Sequence, residues 1–434
     1  MARQMKDSGV EWIGEMPEAW EVINPKALFR LRKEKAALGQ RQLTSSQQYG
    51  IVYQDEYMKL TGAKVVTVEK DFEILKQVES GDFVISMRSF QGGIEYSPYS
   101  GSISSAYVML IPNKNCVYSP FYKWLLKSSE YIRALQSTSN MVRDGQAMRY
   151  SNFAQVRLIV LPMEEQRRIA NYLDSKCAEI DKVVEQTRAT IEKYKKLKQA
   201  IITDAVTKGV RGPRPMKPSG VEWIGDIPVG WYTSKAGRFI ASTQNGLTRR
   251  DLSESSGDIV LKLRNITPDG TIDYSAVTRV KLSDAEKTAY TLEKGDFLFV
   301  RVNGSKSLVG KSAIFDGSDE DVAYNDHIIR VRLETNYSRA YFKWFLLSTP
   351  GKTEIDMRTS TSAGQFTISG QELRNIRLCV PSEEEQKEIA AYLDTKCAEI
   401  DRIIEKKEQL IEELGSYKKS LIYEYVTGKK EVTA

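Results

Sequence analysis

Two long stretches of the chain carry apolar side chains at spacings that alternate between four and three residues. One stretch runs from Leu173 to residue 205, and the other runs from Leu393 to residue 425. This heptad spacing predicts two amphipathic helices, over about 164–207 and 383–426, each with one apolar stripe. Because an unpaired stripe would expose a large apolar surface, the helices are expected to pair as an antiparallel coiled coil. The predicted seam consists of Leu173, Cys177, Ile180, Val184, Ile191, Leu393, Cys397, Ile400, Ile404 and Ile411.

Outside these helices, short β-branched and aromatic runs alternate with short helical patterns. The runs are bounded by Gly, Asp, Asn or Pro, which is typical of strands. The pattern therefore predicts a mixed α/β (α+β) fold, with two globular domains separated by the paired helices. Strands are predicted at 50–53, 83–86, 106–111, 297–300 and 328–333, and short helices at 120–126 and 340–346.

Parts of the chain occur twice. Residues 8–14 read Ser-Gly-Val-Glu-Trp-Ile-Gly and recur unchanged at 219–225, while residues 172–181 recur at 392–401 with one substitution. The ends of the two copies match and their centres diverge, which indicates two domains of one design, related by a pseudo-two-fold, that recognise different targets. The predicted division is a first domain at 1–160, a helix at 161–207, a Pro- and Gly-rich linker at 208–218, a second domain at 219–380, and a second helix with the C-terminal tail at 381–434.

The composition excludes most catalytic chemistry for this chain. His327 is the only histidine, and the four cysteines are scattered, so the sequence argues against a His-rich or CxxC zinc site, a Ser-His-Asp triad and a Cys-His pair. Residues 304–312 resemble a phosphate-binding loop but have five residues between the glycines where the motif needs four. We therefore predict no catalytic residues and no metal site. The net charge of +6 permits nucleic-acid binding without demonstrating it.

The same composition bears on the cellular compartment. No run of about 18 apolar residues is present, which predicts that the chain does not cross a membrane. The N-terminal residues lack the apolar core of a secretory signal. Together with scattered cysteines, expected as free thiols, these features predict a cytoplasmic protein.

Polar loops follow the Gly-Asp strand of each repeat, and a second pair of polar segments lies at 140–146 and 358–365; both pairs are candidates for contacts with DNA. Arg and Lys side chains bind guanine edges in the major groove, and Asn and Gln bind adenine. Solvated loops of an ordinary α/β domain are the alternative interpretation. The candidates are Arg88, Ser89, Gln91, Asn140, Arg143, Gln146, Arg301, Asn303, Lys306, Arg358 and Gln365.

Several motifs together resemble the specificity subunit of type I restriction–modification systems, over essentially the full length. They are the segment 9–14 with Pro17 and Trp20, the Gly-Asp-strand-Arg segments, and the helix starts Pro-Met-Glu-Glu-Gln at 162–166 and Pro-Ser-Glu-Glu-Glu-Gln at 381–386. The resemblance implies two target-recognition domains, each reading one half of a split site in double-stranded DNA. It also implies two methyltransferase subunits, which bind S-adenosylmethionine, and restriction subunits in the full complex. Catalysis would belong to those partners, and this chain would bind no cofactor.

Two other function classes remain as alternatives. A coiled-coil scaffold with two protein-binding heads would have the same helices and no preference for any DNA sequence. An enzyme in its own right is disfavoured by the single histidine and by the missing cofactor loops. Binding to a bipartite DNA site separates the first alternative from the recognition subunit, and activity of the purified chain alone would support the second.

Overall fold

The protein folds into two compact units in a computed structural model, which describes residues 3–68, 72–86, 89–138, 148–249, 256–267, 270–335, 337–362 and 364–432. Unit 1 comprises Met1–Thr187 and Glu408–Ala434, and unit 2 comprises Arg188–Lys407. Each unit therefore contains one globular part, the first half of one long helix and the second half of the other. The two units are therefore not consecutive stretches of the chain divided at residues 160 and 219. Instead, the C-terminal half of each long helix packs in the unit where the other long helix begins.

Unit 1 is built on a four-stranded antiparallel sheet of order β4-β11-β8-β9, with short two-stranded ladders around it. In its core, Phe29 packs edge-on against Phe83, Tyr122 and Phe153, with ring centroids 5.4 to 5.7 Å apart. The strands are β1 (Met5–Asp7), β2 (Glu15–Pro17), β3 (Glu21–Ile23), β4 (Phe29–Leu31), β5 (Leu43–Ser46), β6 (Gly50–Tyr53), β7 (Lys76–Val78), β8 (Phe83–Ile85), β9 (Glu95–Tyr96), β10 (Gly101–Ile103), β11 (Val108–Pro112) and β12 (Leu158–Val160).

The helices that begin in unit 1 are short, except for the last. They are α1 (Pro25–Leu28), α2 (Gln54–Thr61), α3 (Ser89–Gly92), α4 (Ser119–Leu125), α5 (Ser129–Ser137), α6 (Tyr150–Phe153) and α7 (Met163–Lys208).

Unit 2 repeats the central sheet in the order β16-β23-β19-β21 and adds two three-stranded sheets, β18-β17-β22 and β20-β25-β24. The strands are β13 (Met216–Pro218), β14 (Asp226–Pro228), β15 (Tyr232–Lys235), β16 (Ile240–Asn245), β17 (Asp258–Leu261), β18 (Thr278–Val280), β19 (Phe297–Val300), β20 (Val302–Asn303), β21 (Ser312–Ile314), β22 (Val322–Tyr324), β23 (Ile328–Leu333), β24 (Ser360–Ser362), β25 (Gln365–Thr367) and β26 (Arg377–Val380). The helices are α8 (Asp284–Tyr290), α9 (Arg339–Leu347), α10 (Thr349–Arg358), α11 (Gly370–Asn375) and α12 (Glu383–Val426).

The α+β fold class predicted from the sequence is confirmed element by element. The strands predicted at 50–53, 297–300 and 328–333 have those bounds, and the other predicted strands and short helices agree within about two residues. Residues 304–312 form no helix that could bind phosphate, since Lys306–Leu308 is a single 3-10 turn and a strand begins at Ser312.

The two long helices begin and end within about a residue of the predicted bounds. All ten named seam residues are buried or half-buried. In unit 1, Asp181 of α7 pairs with Lys418 of α12 at 2.6 Å. In unit 2, Lys198 pairs with Asp401 at 2.6 Å. Tyr172 also packs on Tyr425 in unit 1, and Lys407 lies over the Tyr194 ring in unit 2, so in each unit α7 and α12 run antiparallel.

The motif at the start of each long helix attaches that helix to its globular part. The fully buried Gln166 donates its amide to the carbonyls of Cys116 and Leu161 and accepts from the Tyr118 N–H at 2.7 Å. The equivalent Gln386 donates to the Pro381 carbonyl and accepts from Ser338. Glutamine suits this position because its amide offers both a donor and an acceptor to backbone groups that burial removes from water.

A tryptophan of each repeat binds the same helix start. Trp20 donates its indole N–H to Glu165 at 2.9 Å, and Trp231 donates to Glu385 at 2.8 Å. In both units an arginine lies over the indole ring and pairs with the same carboxylate; these are Arg3 and Arg214. The Glu385 carboxylate is thus bound to Trp231 and Arg214, while Ser382 caps the helix by accepting from the Glu385 N–H.

Candidate nucleic-acid interface

In both units a buried aspartate holds the strand that leads to the candidate loop. Asp82, just before β8, accepts two hydrogen bonds from Arg32, at 2.6 and 3.0 Å. Asp296, just before β19, accepts two from Arg332, at 2.8 and 3.1 Å. Because both aspartates are almost fully buried, the bidentate arginine is what allows a carboxylate there. The Gly-Asp pair of the sequence is thus a structural anchor.

In unit 1 the strand held by Asp82 leads to a polar edge formed by α3 and the tip of the β5–β6 hairpin. Gln91 is exposed, and its side-chain oxygen accepts from the amide of Gln47 at 3.3 Å. Gln136 donates to the carbonyl of Phe90 at 2.7 Å and so holds α3. The sequence prediction named Gln91 and missed Gln47, although two glutamines at a hairpin tip, 47 and 48, are a signal for adenine contacts.

Five predicted residues of unit 1 need separate comment. Ser89 is 1% exposed, and its hydroxyl accepts from the N–H of Ser86 at 2.9 Å. We therefore withdraw Ser89 as a DNA contact, because a buried hydroxyl that closes a turn cannot reach a base. The other four predicted residues lie outside the described residues and remain predictions from the sequence; they are Arg88, Asn140, Arg143 and Gln146.

In unit 2 the predicted residues of two sequence segments lie on one small sheet. Asn303 in β20 is paired with Phe366 in β25, next to the exposed Gln365. Lys306 follows on an exposed 3-10 turn. Arg301 lies at the start of this sheet, half-buried, and donates from Nη1 to the carbonyl of Asp326 at 2.9 Å. The structure thus brings Arg301, Asn303, Lys306 and Gln365 into one polar region.

Arg358 does not belong to this region as a DNA contact. Its guanidinium forms an ion pair of 2.6 Å with Glu354, which is fully buried, and donates to the carbonyl of Asn375 at 2.8 Å. Burial raises the pKa of Glu354, and the facing arginine opposes that shift. The prediction for Arg358 is wrong because moving its side chain to a base would leave a buried carboxylate without its cation.

A basic cavity beside Arg301 was not predicted from the sequence. It has a volume of about 510 Å³ and is lined by Arg249, Lys262, Arg264 and His327, with one carboxylate, Asp326. Three cations against one carboxylate give this surface a net positive charge that favours a phosphate or the acceptor edge of guanine. The sequence separates these residues by up to 78 positions, so no local spacing pattern could reveal them.

The loop 325–327, which lines that cavity, is fixed by a close backbone approach. The Leu247 N–H donates to the Tyr324 carbonyl at 2.8 Å, and the Asp326 N–H donates to the Leu247 carbonyl at 3.1 Å. At Gly246, a Cβ atom would lie 2.3 Å from the carbonyl oxygen of Asn325. Glycine is required there because any side chain would push the loop away.

Three buried cysteines among the described residues have a structural role. Burial raises the pKa of the Cys177 and Cys397 thiols to about 11 and that of Cys379 to about 12, so these thiols are neutral at physiological pH. Within the described ranges, no group of three or more His, Cys, Asp or Glu side chains is placed to hold a metal ion. None of the helices in that part of the chain is long and apolar enough to span a membrane.

The repeat, the paired helices and the polar loops now have a family context. The model of the type I restriction modification DNA specificity domain matches residues 17–193 and again 231–413. These two matches cover most of the chain. The chain therefore belongs to this family and contains two copies of its domain.

Individual relatives match over nearly the whole length. The StySPI specificity subunit of Salmonella potsdam is 23% identical over 97% of this chain and 91% of its own length. The EcoKI specificity subunit of Escherichia coli K12 is also 23% identical, with the same coverage. A chain from a structure of a type I restriction–modification system aligns with a TM-score of 0.74 and 15% identity, over 96% of this chain and 99% of that chain. The HsdS subunit of Thermoanaerobacter tengcongensis aligns at 0.53 and 16%, over 96% and 98%. At this identity, the two structures support the fold alone.

Proposed function

We propose that this chain is the DNA-recognition subunit of a type I restriction–modification complex, and that each unit reads one half of a bipartite site. The observation that carries the proposal is the repeated frame. In both units an Arg-anchored aspartate holds the strand that leads to the candidate region, while the polar residues beyond it differ. Duplex DNA has local two-fold symmetry, so two readers of one design suit two half-sites.

The partners follow from the same proposal. Two methyltransferase subunits would bind S-adenosylmethionine and carry out methyl transfer, and restriction subunits would complete the cutting complex. The chain itself would be non-catalytic and would work in the cytoplasm. Two weak readers on one chain gain affinity because the second contact becomes intramolecular, so a modest positive charge on each unit suffices.

The test is methylome sequencing of a host that expresses this chain with its methyltransferase subunits. We expect one bipartite motif. Arg301→Ala should relax one half of that motif by roughly tenfold or more, since a bidentate contact to a base contributes about 1–3 kcal/mol of discrimination. Gln91→Ala and Arg88→Ala should affect the other half. Arg279→Ala is the matched control, because Arg279 belongs to the same unit, pairs with Glu320, and lines neither the small sheet β20-β25-β24 nor the basic cavity.

Two outcomes would contradict the proposal, and a third would change the residues assigned to it. Binding with no sequence preference, even with methyltransferase present, would favour the scaffold alternative. Methyl transfer or cleavage by the purified chain alone would contradict a non-catalytic role. If the Arg301 and Gln91 variants both methylate the same half-sites as the unaltered chain, these two residues do not determine the bases recognised.

A further inference from the structure

Two Asn-Gly pairs lie in unit 2, one of them in the small sheet that carries predicted DNA contacts. They are Asn245–Gly246, at the end of β16, and Asn303–Gly304, at the end of β20. The sequence contains no other Asn-Gly pair. An asparagine before glycine is chemically labile, because the next backbone nitrogen can attack the side-chain amide carbon where no side chain stands in the way. The two pairs have opposite environments.

The pair Asn245–Gly246 is protected against this attack by the backbone around it. The Gly246 N–H donates to the Ile328 carbonyl at 3.1 Å, and the backbone of 324–325 packs directly against Gly246. The nitrogen cannot approach the side chain of Asn245 without breaking a hydrogen bond in a buried position.

The pair Asn303–Gly304 has none of this protection. The strand β20 lies at the edge of the sheet β20-β25-β24, and Gly304 follows its last residue. Among the described residues, the Gly304 N–H donates no hydrogen bond, and a Cβ added at Gly304 would meet no atom within 4 Å. The nitrogen of Gly304 is therefore free to move toward the Asn303 side chain.

The Asn303 side chain is already turned toward that nitrogen. Its Oδ1 accepts from the Ser305 N–H at 2.9 Å, which forms an Asx turn. The ring that this hydrogen bond closes includes both Cγ of Asn303 and the nitrogen of Gly304. Negative charge develops on Oδ1 when the nitrogen attacks Cγ, and the Ser305 N–H stabilises it as a donor of an oxyanion hole does. The local fold thus positions the two reacting atoms and stabilises the intermediate.

We propose that Asn303 is a self-modification site that changes the base recognition of unit 2. The Gly304 nitrogen bonds to Cγ of Asn303 and loses its proton to solvent, while the side-chain amide leaves as ammonia and takes a proton from solvent. Water then opens the cyclic imide at either carbonyl, which gives aspartate or isoaspartate at position 303. The net reaction consumes one water and releases one ammonia, and no oxidant or reductant takes part.

The consequence for recognition rests on the proposed function. An asparagine amide binds the N6 and N7 edge of adenine, whereas a carboxylate only accepts and binds the amino group of cytosine. The new negative charge also repels the DNA phosphates. Isoaspartate inserts a carbon into the backbone of β20, at the Asn303–Phe366 pairing next to Gln365. Conversion should therefore alter the half-site of unit 2 and leave the half-site of unit 1 unchanged.

The first test incubates the full-length protein in heavy-oxygen water at mildly alkaline pH and follows both pairs by peptide mass spectrometry. Asn303 should take up heavy oxygen about tenfold faster than Asn245, the factor that corresponds to one backbone hydrogen bond. Exposure alone predicts the reverse order, because Asn245 is exposed and Asn303 is half-buried. In the urea-unfolded chain the two rates should converge. Equal rates in the native protein, or a faster Asn245, would overturn the proposal.

Two variants separate the chemistry from its consequence. Gly304→Ala should slow the conversion, because its Cβ shields the nitrogen at a position with space for it. Complexes of the unaltered chain with methyltransferase should lose base preference at one half-site after ageing, and Asn303→Asp should show that loss without ageing. Gly304→Ala complexes should keep the original motif throughout. An unchanged motif after full conversion would overturn the assigned consequence. Fresh complexes without any bipartite motif would contradict the proposed function instead, while the conversion rates would still decide the chemistry.

Discussion

At the scale of single residues, the two units neutralise an equivalent buried aspartate with arginines from different strands. Asp82 and Asp296 occupy the same place in the repeat, but Arg32 follows the edge strand β4, whereas Arg332 lies in the central strand β23. A buried carboxylate needs a bidentate cation, and the arginine comes from the adjacent strand in unit 2 and from beyond the next strand but one in unit 1. Recognition surfaces can therefore diverge while the anchor beneath them keeps its chemistry.

Gly246 offers a sharp test at this scale. Gly246→Ala should lower the free energy of unfolding by about 1–3 kcal/mol, because its Cβ would overlap the backbone of 324–325 and displace the loop that lines the basic cavity. Urea denaturation measures the change. Gly230→Ala is the control, since a Cβ there meets no atom within 4 Å. Equal stability of the two variants would show that the loop adjusts without cost.

At the scale of secondary-structure elements, the sequence predicts best where a pattern is long. Ten heptad positions defined both long helices to about a residue, because burial of one stripe repeats every three or four residues. The basic cavity and the Arg358–Glu354 pair could not be predicted, since each depends on strands distant in sequence. Ser89 failed for a related reason: residue type alone does not reveal which loop side chain closes a turn.

The ion pairs between the two helices lead to a prediction about register. Lys198→Asp should destabilise unit 2, and the double variant Lys198→Asp with Asp401→Lys should recover most of the loss. Since Asp401 is half exposed, the pair contributes only about 0.2–1 kcal/mol. Thermal unfolding at low salt measures the coupling, which 1 M salt should largely remove.

The matched control is the exposed pair Lys396–Glu399 within α12, whose reversal leaves the register of the two helices untouched. Reversing Lys396 and Glu399 should change stability by a few tenths of a kcal/mol at most. No recovery in the Lys198 and Asp401 double variant would mean that the apolar seam alone fixes the register.

At the scale of the whole molecule, each long helix begins in one unit and ends in the other, since the boundaries between the units fall at 187/188 and 407/408. These two boundaries are equivalent positions of the repeat, 220 residues apart. The chain thus crosses from one unit to the other within α7 and again within α12, and the heptad pattern pairs these two helices. Under the proposed function, the number of unread base pairs between the half-sites depends on the length of these helices.

Inserting one heptad after Thr187 and another after Lys407 tests that dependence. Seven residues add about 10 Å of helix at 1.5 Å per residue, which corresponds to roughly three base pairs at 3.4 Å each. We expect the preferred spacer to lengthen by about three base pairs with both half-sites unchanged. Affinity should fall, because about three base pairs rotate one half-site by nearly a third of the 10-base-pair turn. Binding of purified complexes to duplexes with graded spacers measures both effects. Insertions of three residues, which break the heptad pairing, are the control and should lower stability instead. An unchanged spacer at full affinity in the heptad variant would mean that the helices do not set the spacing.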